Sequence, residues 1–168
     1  MAPGSLALQF FTEGEWRRVR IDDRIPCNAS GQPLYAHSVE PEEMWVALIE
    51  KAYAKTKGCY QALTSGFVDS ALVELTGGAP QRVRFHRKGE GPTRAESVWA
   101  TVSQWVAEDA PIGCAISLSG AADVSTEGTG LLQGHAYGVE QLREVAGTRL
   151  LQLRNPWGSA LTTLAVLE

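Results

Sequence analysis

The sequence holds no run near the roughly 20 consecutive apolar residues that a bilayer span needs. Residues 1–11, Met-Ala-Pro-Gly-Ser-Leu-Ala-Leu-Gln-Phe-Phe, have neither the basic start nor the apolar centre of a secretory leader. Cysteine is scarce: Cys27, Cys59 and Cys114 are odd in number, widely spaced, and never form Cys-x-x-Cys. A disulfide framework and a zinc site are thereby disfavoured, and a reducing cytoplasm is expected. A basic excess is missing too: 15 Lys and Arg face 19 Asp and Glu, a net charge of -4, which argues against a nucleic-acid or anionic-membrane partner. Repeats and low-complexity tracts are absent. What is present, 44% hydrophobic and 20% charged residues over 168 positions, suits a folded chain of one domain or two small lobes.

Periodicity divides the chain. Leu6–Phe11 and Trp16–Ile21, joined by the turn-like Glu13-Gly14, read as a hairpin with Val19 and Ile21 on one face. Two Pro, one Gly and one Asn make 26–37 a loop. A helix is expected from near Ser38, with Glu42 and Glu43 in its first turns and Met44, Trp45, Leu48, Ile49, Ala52 and Tyr53 as its apolar stripe, ending at Gly58. Shorter helical pieces are expected at Tyr60–Leu63 and Phe67–Leu75. Thr76-Gly77-Gly78-Ala79-Pro80 interrupts helix and strand alike and is the best boundary, giving units 1–78 and 79–168.

Beyond it, Gln81–Phe85 alternates like a strand. Thr93-Arg94-Ala95-Glu96 has capping-box spacing and opens a helix with Ala95, Val98, Trp99, Val102 and Val106 on its apolar face. Ile112–Leu118 suggests a buried strand, and 119–134 a long loop rich in Gly, Ser, Thr and Ala. His135–Leu142 and Arg149–Arg154 suggest an antiparallel hairpin turning within Glu144–Thr148, which brings His135 and Asn155 to the same open end as approximate neighbours.

That pairing carries chemistry. An Asn oxygen can accept a proton from one imidazole nitrogen and leave the other free to act on a nucleophile. Pro156 restricts the Asn155 backbone, and Trp157 can cover the bond from water. His135 as general base, Asn155 as orienter and Trp157 as shield would be the orienting half of a Cys–His–Asn apparatus. By spacing alone, an ordinary turn remains open.

The motifs Gly134-His135-Ala136-Tyr137-Gly138-Val139 and Leu151-Gln152-Leu153-Arg154-Asn155-Pro156-Trp157-Gly158 resemble the His and Asn motifs of calpain-type cysteine proteases. Gly14-Glu15-Trp16, Ile21–Pro26, the run from Glu43 to Lys55, and Thr76-Gly77-Gly78 also resemble that family, in its order, over about residues 7–158. The resemblance implies an α+β, papain-like core of two lobes: an incomplete, helical first lobe and an antiparallel-sheet second lobe carrying His and Asn. It implies a protein or peptide substrate and regulation by calcium, with Glu43 matching a calcium-ligand glutamate of the first lobe.

Two departures qualify it. The family's Gly-Asp-Cys-Trp nucleophile motif does not occur in the 168 residues, nor do its oxyanion-hole Gln and the other first-lobe calcium ligands. Leu161 stands where the family places a ligand Glu, and leucine has no oxygen to offer calcium. Both calcium sites are therefore expected to be incomplete. The expected function is a calpain-like endopeptidase core that lacks its nucleophile and acts when a Cys-bearing segment completes it. The alternative is a non-catalytic binding or regulatory module, with a partner chain on the exposed face of the long helix. The resident cysteines are expected to be structural, Cys114 buried in its strand. His37, the cluster Arg82, Arg84, His86, Arg87 and Lys88, and the Trp99/Trp105 pair are read as structural, and Gly128-Thr129-Gly130 lacks the context of a phosphate loop.

Overall fold

A computed structural model describes residues 4–40, 42–84, 93–115, 130–157 and 162–166. The chain forms two compact units, Met1–Pro80 and Gln81–Glu168. Together they hold α-helices and two small antiparallel sheets, an α+β composition.

In the first unit β1 (Ser5–Thr12) pairs with β2 (Glu15–Asp22) in unbroken register from Ser5↔Asp22 to Thr12↔Glu15. The two-residue turn has Glu13 at φ 55 and Gly14 at φ 83, the left-handed pair whose twist suits a tight hairpin. Alternation sends Phe10 and Ile21, with Leu8 and Val19, to one face, where they meet Ala52, Leu48 and Tyr53 of α1 (Trp45–Lys57). Phe10 is 1% exposed, and its ring centre lies 5.5 Å from that of Tyr53.

Two lysines one turn apart tie α1 to the outer edge of β2. Lys51 Nζ donates to the Asp22 carboxylate at 2.6 Å and to the Asp22 and Arg24 carbonyls, and Lys55 Nζ donates to the Arg20 carbonyl at 2.7 Å. The Lys51 ammonium hydrogen bond holds the Asp22 carboxyl below its usual range.

Helix α1 begins at Trp45, not near Ser38. The Ser38 hydroxyl is engaged locally: it donates to Glu43 Oε2 at 2.7 Å and accepts the Glu40 N–H at 3.1 Å. Such local bonding competes with helix at its own start. The expected apolar stripe packs through Leu48, Ala52 and Tyr53, but not through the two residues at its start. Ala47, Ala52 and Ala54 are buried, whereas Met44 and Trp45 are 38% and 59% exposed. Gly58 ends the helix at φ 100, a 3-10 turn spans Tyr60–Leu63, and α2 follows at Val68–Thr76. Gly77 caps α2 at φ 71, its N–H bonded to the Val73 carbonyl at 2.7 Å. A Cβ there would stand 2.9 Å from Trp16 Cζ2, so only glycine suits both the backbone and the neighbour.

The second unit contains α3 (Thr93–Ala107) and a sheet ordered β3 (Gly113–Ala115), β4 (Ala136–Val145), β5 (Thr148–Arg154), β6 (Thr162–Val166), antiparallel throughout. Val98 and Val102 of α3 bury against Tyr137, Leu151 and Leu153, with Trp99, Trp105, Cys114 and Val139 packed around them. The expected apolar face of α3 is the one that packs.

Two strand expectations change, and a third falls partly outside the described residues. Residues 81–84 are irregular, not a strand: Gln81 accepts the Trp105 indole N–H at 3.0 Å and Val83 packs on the core, so side-chain contacts hold an extended segment that joins no sheet among the described residues. Strand β3 is described over Gly113–Ala115, and 116–129 lie outside the described residues, as do His86, Arg87 and Lys88. The β4–β5 connection is the pair Ala146-Gly147, at φ 50 and 81, not the five residues Glu144–Thr148.

Candidate active site

The open end of the β4–β5 hairpin carries the expected pair, though not as ladder partners. Val145↔Thr148 closes the hairpin, the register shifts between Val139 and Gln141, and the final pair is Gly138↔Arg154. Glu140 is the extra residue of that bulge. Its carboxylate binds Arg154 Nε and accepts from Gln152 Nε2 at 3.0 Å, so the bulged strand is stitched to the residues just before Asn155. Hydrogen bonding to Arg154, then to Gln152, holds the Glu140 carboxyl below its usual range.

His135 precedes β4 and Asn155 follows β5, and both are half-buried. His135 Nε2 lies 2.9 Å from Asn155 Oδ1. The backbone N–H of Trp157 donates to that same oxygen at 3.1 Å. A backbone N–H only donates, so the amide atom facing it is the oxygen. Facing that oxygen, the imidazole nitrogen carries the proton. The neutral ring is thus held as the Nε2–H tautomer, with a lone pair on Nδ1.

The Trp157 ring lies against the imidazole, centres 4.3 Å apart at 52°. Trp157 is itself 69% exposed, so the ring that covers the imidazole has its own outer face in solvent. The Trp157 N–H bond to the Asn side chain two residues back is an Asx-turn, for which Asn155-Pro156 was the signal in the sequence. Residues 156–157 form the turn that brings this N–H round to Oδ1.

Tyr137 also meets the imidazole, edge-on at 4.8 Å and 86°. It was legible in the sequence only as one residue of the His motif. It is 4% exposed, and its hydroxyl accepts the Leu132 N–H at 2.9 Å.

The remaining site expectations fare differently. Cys114 pairs with Tyr137 in the β3–β4 register and packs on the core, and burial pushes its thiol up to about 11. Such a thiol stays protonated at neutral pH and is a poor nucleophile. Cys27 and Cys59 are exposed and free. Glu43 accepts the Ser38 hydroxyl, and among the described residues no group of three or more His, Cys, Asp or Glu is gathered for a metal. A single carboxylate falls short of the six to eight oxygens calcium takes. The described donors therefore do not fit a calcium site, and Leu161 lies outside them. His37 Nδ1 binds the Tyr35 carbonyl at 2.8 Å within its own loop. Among the described residues no helix is long and apolar enough to cross a membrane.

A family described as "Calpain family cysteine protease" matches residues 2–162. The chain is 42% identical over 157 residues to the calpain-type cysteine protease DEK1 of Arabidopsis thaliana, an alignment covering 93% of this chain and 7% of that protein. It is 40% identical over 157 residues to the calpain-type cysteine protease ADL1 of Oryza sativa subsp. japonica, with the same coverage of 93% and 7%. It is 39% identical over 160 residues to calpain-8 of Mus musculus, covering 92% of this chain and 22% of that protein. The chain thus spans between 7% and 22% of the length of these relatives.

Proposed function

Since the chain belongs to the calpain family of cysteine proteases, we propose that it is part of a calpain-type catalytic core, in which residues 79–168 supply the general base and its orienting amide for peptide-bond hydrolysis. The observation that carries this reading is the single Asn155 oxygen accepting from both His135 Nε2 and the Trp157 N–H, which fixes a lone pair on Nδ1.

In this reading a thiol lies against Nδ1. Nδ1 takes its proton, leaving a thiolate beside an imidazolium whose Nε2–H still bonds to Asn155. The thiolate sulfur attacks the scissile carbonyl carbon, and the imidazolium returns the proton to the departing amine as the C–N bond breaks. Water then enters, Nδ1 takes its proton, and hydroxyl transfer to the acyl carbon frees the acid and the thiol. Trp157 limits water on one side of the His–Asn bond throughout.

The thiol is not among the 168 residues in family form, since Gly-Asp-Cys-Trp does not occur. A Cys-bearing segment, on the same polypeptide or another, supplies it. Residues 1–78 are the remainder of the Cys-bearing lobe. Protein or peptide is the substrate, and a reducing, cytoplasmic setting suits three free cysteines.

The test joins a segment bearing the family's Gly-Asp-Cys-Trp motif ahead of residue 1 and follows hydrolysis of a fluorogenic peptide, with and without calcium. Turnover abolished by His135→Ala supports the proposal. A folded chimera without turnover, or turnover that survives His135→Ala, overturns it.

One observation favours a second reading, a non-catalytic module. The only cysteine within 81–168 is the half-buried Cys114, whose thiol burial pushes up to about 11. Under this reading the chimera folds, binds peptide and never cleaves it.

A further inference from the structure

The segment entering β4 folds into a closed loop whose clasp is a side chain of the same strand. The Tyr137 hydroxyl accepts the Leu132 N–H at 2.9 Å, five residues back, and the intervening Gly134 turns at φ 69. His135 sits inside this loop. The Tyr137 ring meets the imidazole edge-on at 4.8 Å while Trp157 lies on it at 4.3 Å. Tyr137 is 4% exposed and shares the core of Val98, Val102, Leu151 and Leu153. One end of the tyrosine is thus fixed by close packing, and the other grips the backbone that carries the imidazole.

We propose that Tyr137 is a positioning residue for His135: its hydroxyl clasp on Leu132 and its ring edge fix the imidazole orientation that brings Nε2 to Asn155 Oδ1. The physical need is plain. A solvent-accessible His has two χ angles and two neutral tautomers, and one 2.9 Å bond to Asn155 selects among them only if the ring is already close to its place. A residue anchored in the core supplies that restraint, while a loop held by its own side chains alone would not. An edge-to-face ring contact adds directional preference on top of packing. This deepens the proposed protease reading, but it concerns the geometry of the His–Asn pair, which is measurable without turnover.

The test uses the 168-residue chain and 15N NMR of the His135 ring, assigned by loss of its signals in His135→Ala. In the unsubstituted chain the Leu132 amide is protected from exchange, and the neutral His135 ring is mainly the Nε2–H tautomer. Tyr137→Phe keeps the ring and removes the clasp. Leu132 exchange is then expected to speed up roughly 5- to 10-fold, the effect of one lost hydrogen bond. The His135 nitrogen shifts move toward a tautomer mixture. Asn155→Ala is the control: it removes the tautomer bias and leaves Leu132 protected.

A purely structural role would lower the melting temperature of Tyr137→Phe without changing the His135 nitrogens, and that result overturns the proposal. So does an unprotected Leu132 amide in the unsubstituted chain, a measurement that stands even where the variant fails to fold. A tautomer shift in Tyr137→Phe beside an inactive chimera upholds the positioning role and sinks the protease reading. The reverse pair of results does the opposite.

Discussion

Asn155 Oδ1 accepts two hydrogen bonds, from His135 Nε2 at 2.9 Å and from the Trp157 N–H at 3.1 Å, and the second decides the protonation of the first. Because the Trp157 donor is backbone, its presence does not depend on the tryptophan side chain. The chemical state of the imidazole therefore follows from the turn after β5.

Removal of that oxygen frees the imidazole to flip and to exchange tautomers. In the chimera bearing a nucleophilic Cys, Asn155→Ala is expected to lower kcat by roughly 10- to 1,000-fold with little change in KM, below the 10²–10⁴-fold worth of the general base itself. Trp157→Ala keeps the backbone donor and should cost less than Asn155→Ala. Steady-state kinetics on the two variants give the order, and the opposite order would place the weight on the ring's cover instead of the amide.

The thiols should sort by burial. Cys27 and Cys59 are exposed, while burial raises the Cys114 thiol from 9.0 to about 11. An aromatic disulfide reagent at pH 8 is expected to modify two cysteines within minutes and the third only as the chain unfolds. A folded-state pKa above the unfolded one means the unfolded chain loses its proton first. Stability linked to Cys114 is thus whole below pH 9 and falls as pH rises toward 11. Cys114→Ala should flatten that fall in a series of alkaline melts.

The hairpin turn Ala146-Gly147 places an alanine at φ 50, a conformation that costs L-residues with a Cβ. Ala146→Gly or Ala146→Asn is expected to raise stability by about 0.5–1 kcal/mol, since both tolerate this region better. Gly147→Ala should lower it, because φ 81 then carries a side chain. Urea titration of the three variants checks both signs, and an unchanged midpoint for Ala146→Gly would show the strain to be absent.

Much of this architecture is legible from period alone. Val19 and Ile21 face the core at spacing two, and Val98 and Val102 bury at spacing four, because burial rewards those positions wherever the element sits. The junction of His135 with Asn155 was legible as well, since a hairpin must bring its two open ends together. Its register was not. The alternation around Val139–Gln141 shows no sign of a bulge, which is stabilised by the long-range contacts of Glu140 with Gln152 and Arg154. The start of α1 was hidden for a related reason: Ser38 and Glu43 carry helix-start chemistry, yet their side chains bond to each other.

Lys51 offers the sharpest test of what seats α1 on the hairpin. Its side chain is 19% exposed and reaches three acceptors: the Asp22 carboxylate, the Asp22 carbonyl and the Arg24 carbonyl. Those carbonyls lie at the end of an edge strand and its following turn, where no further strand pairs among the described residues. Lys51→Met keeps the aliphatic stem and strips the donor. It is expected to lower stability only modestly, because the three acceptors are exposed and water can take the place of the ammonium. Asp22→Asn removes only the charge and should cost less. Because Lys51 depresses the Asp22 pKa, the stabilisation is present above the unfolded carboxyl range and is lost as pH falls through the folded value. The melting temperatures of the unsubstituted chain and Asp22→Asn should therefore converge on acidification below about pH 4. No gap at neutral pH, or a gap that persists unchanged well below pH 4, would show that the Asp22 charge contributes nothing and that the ammonium serves the two carbonyls.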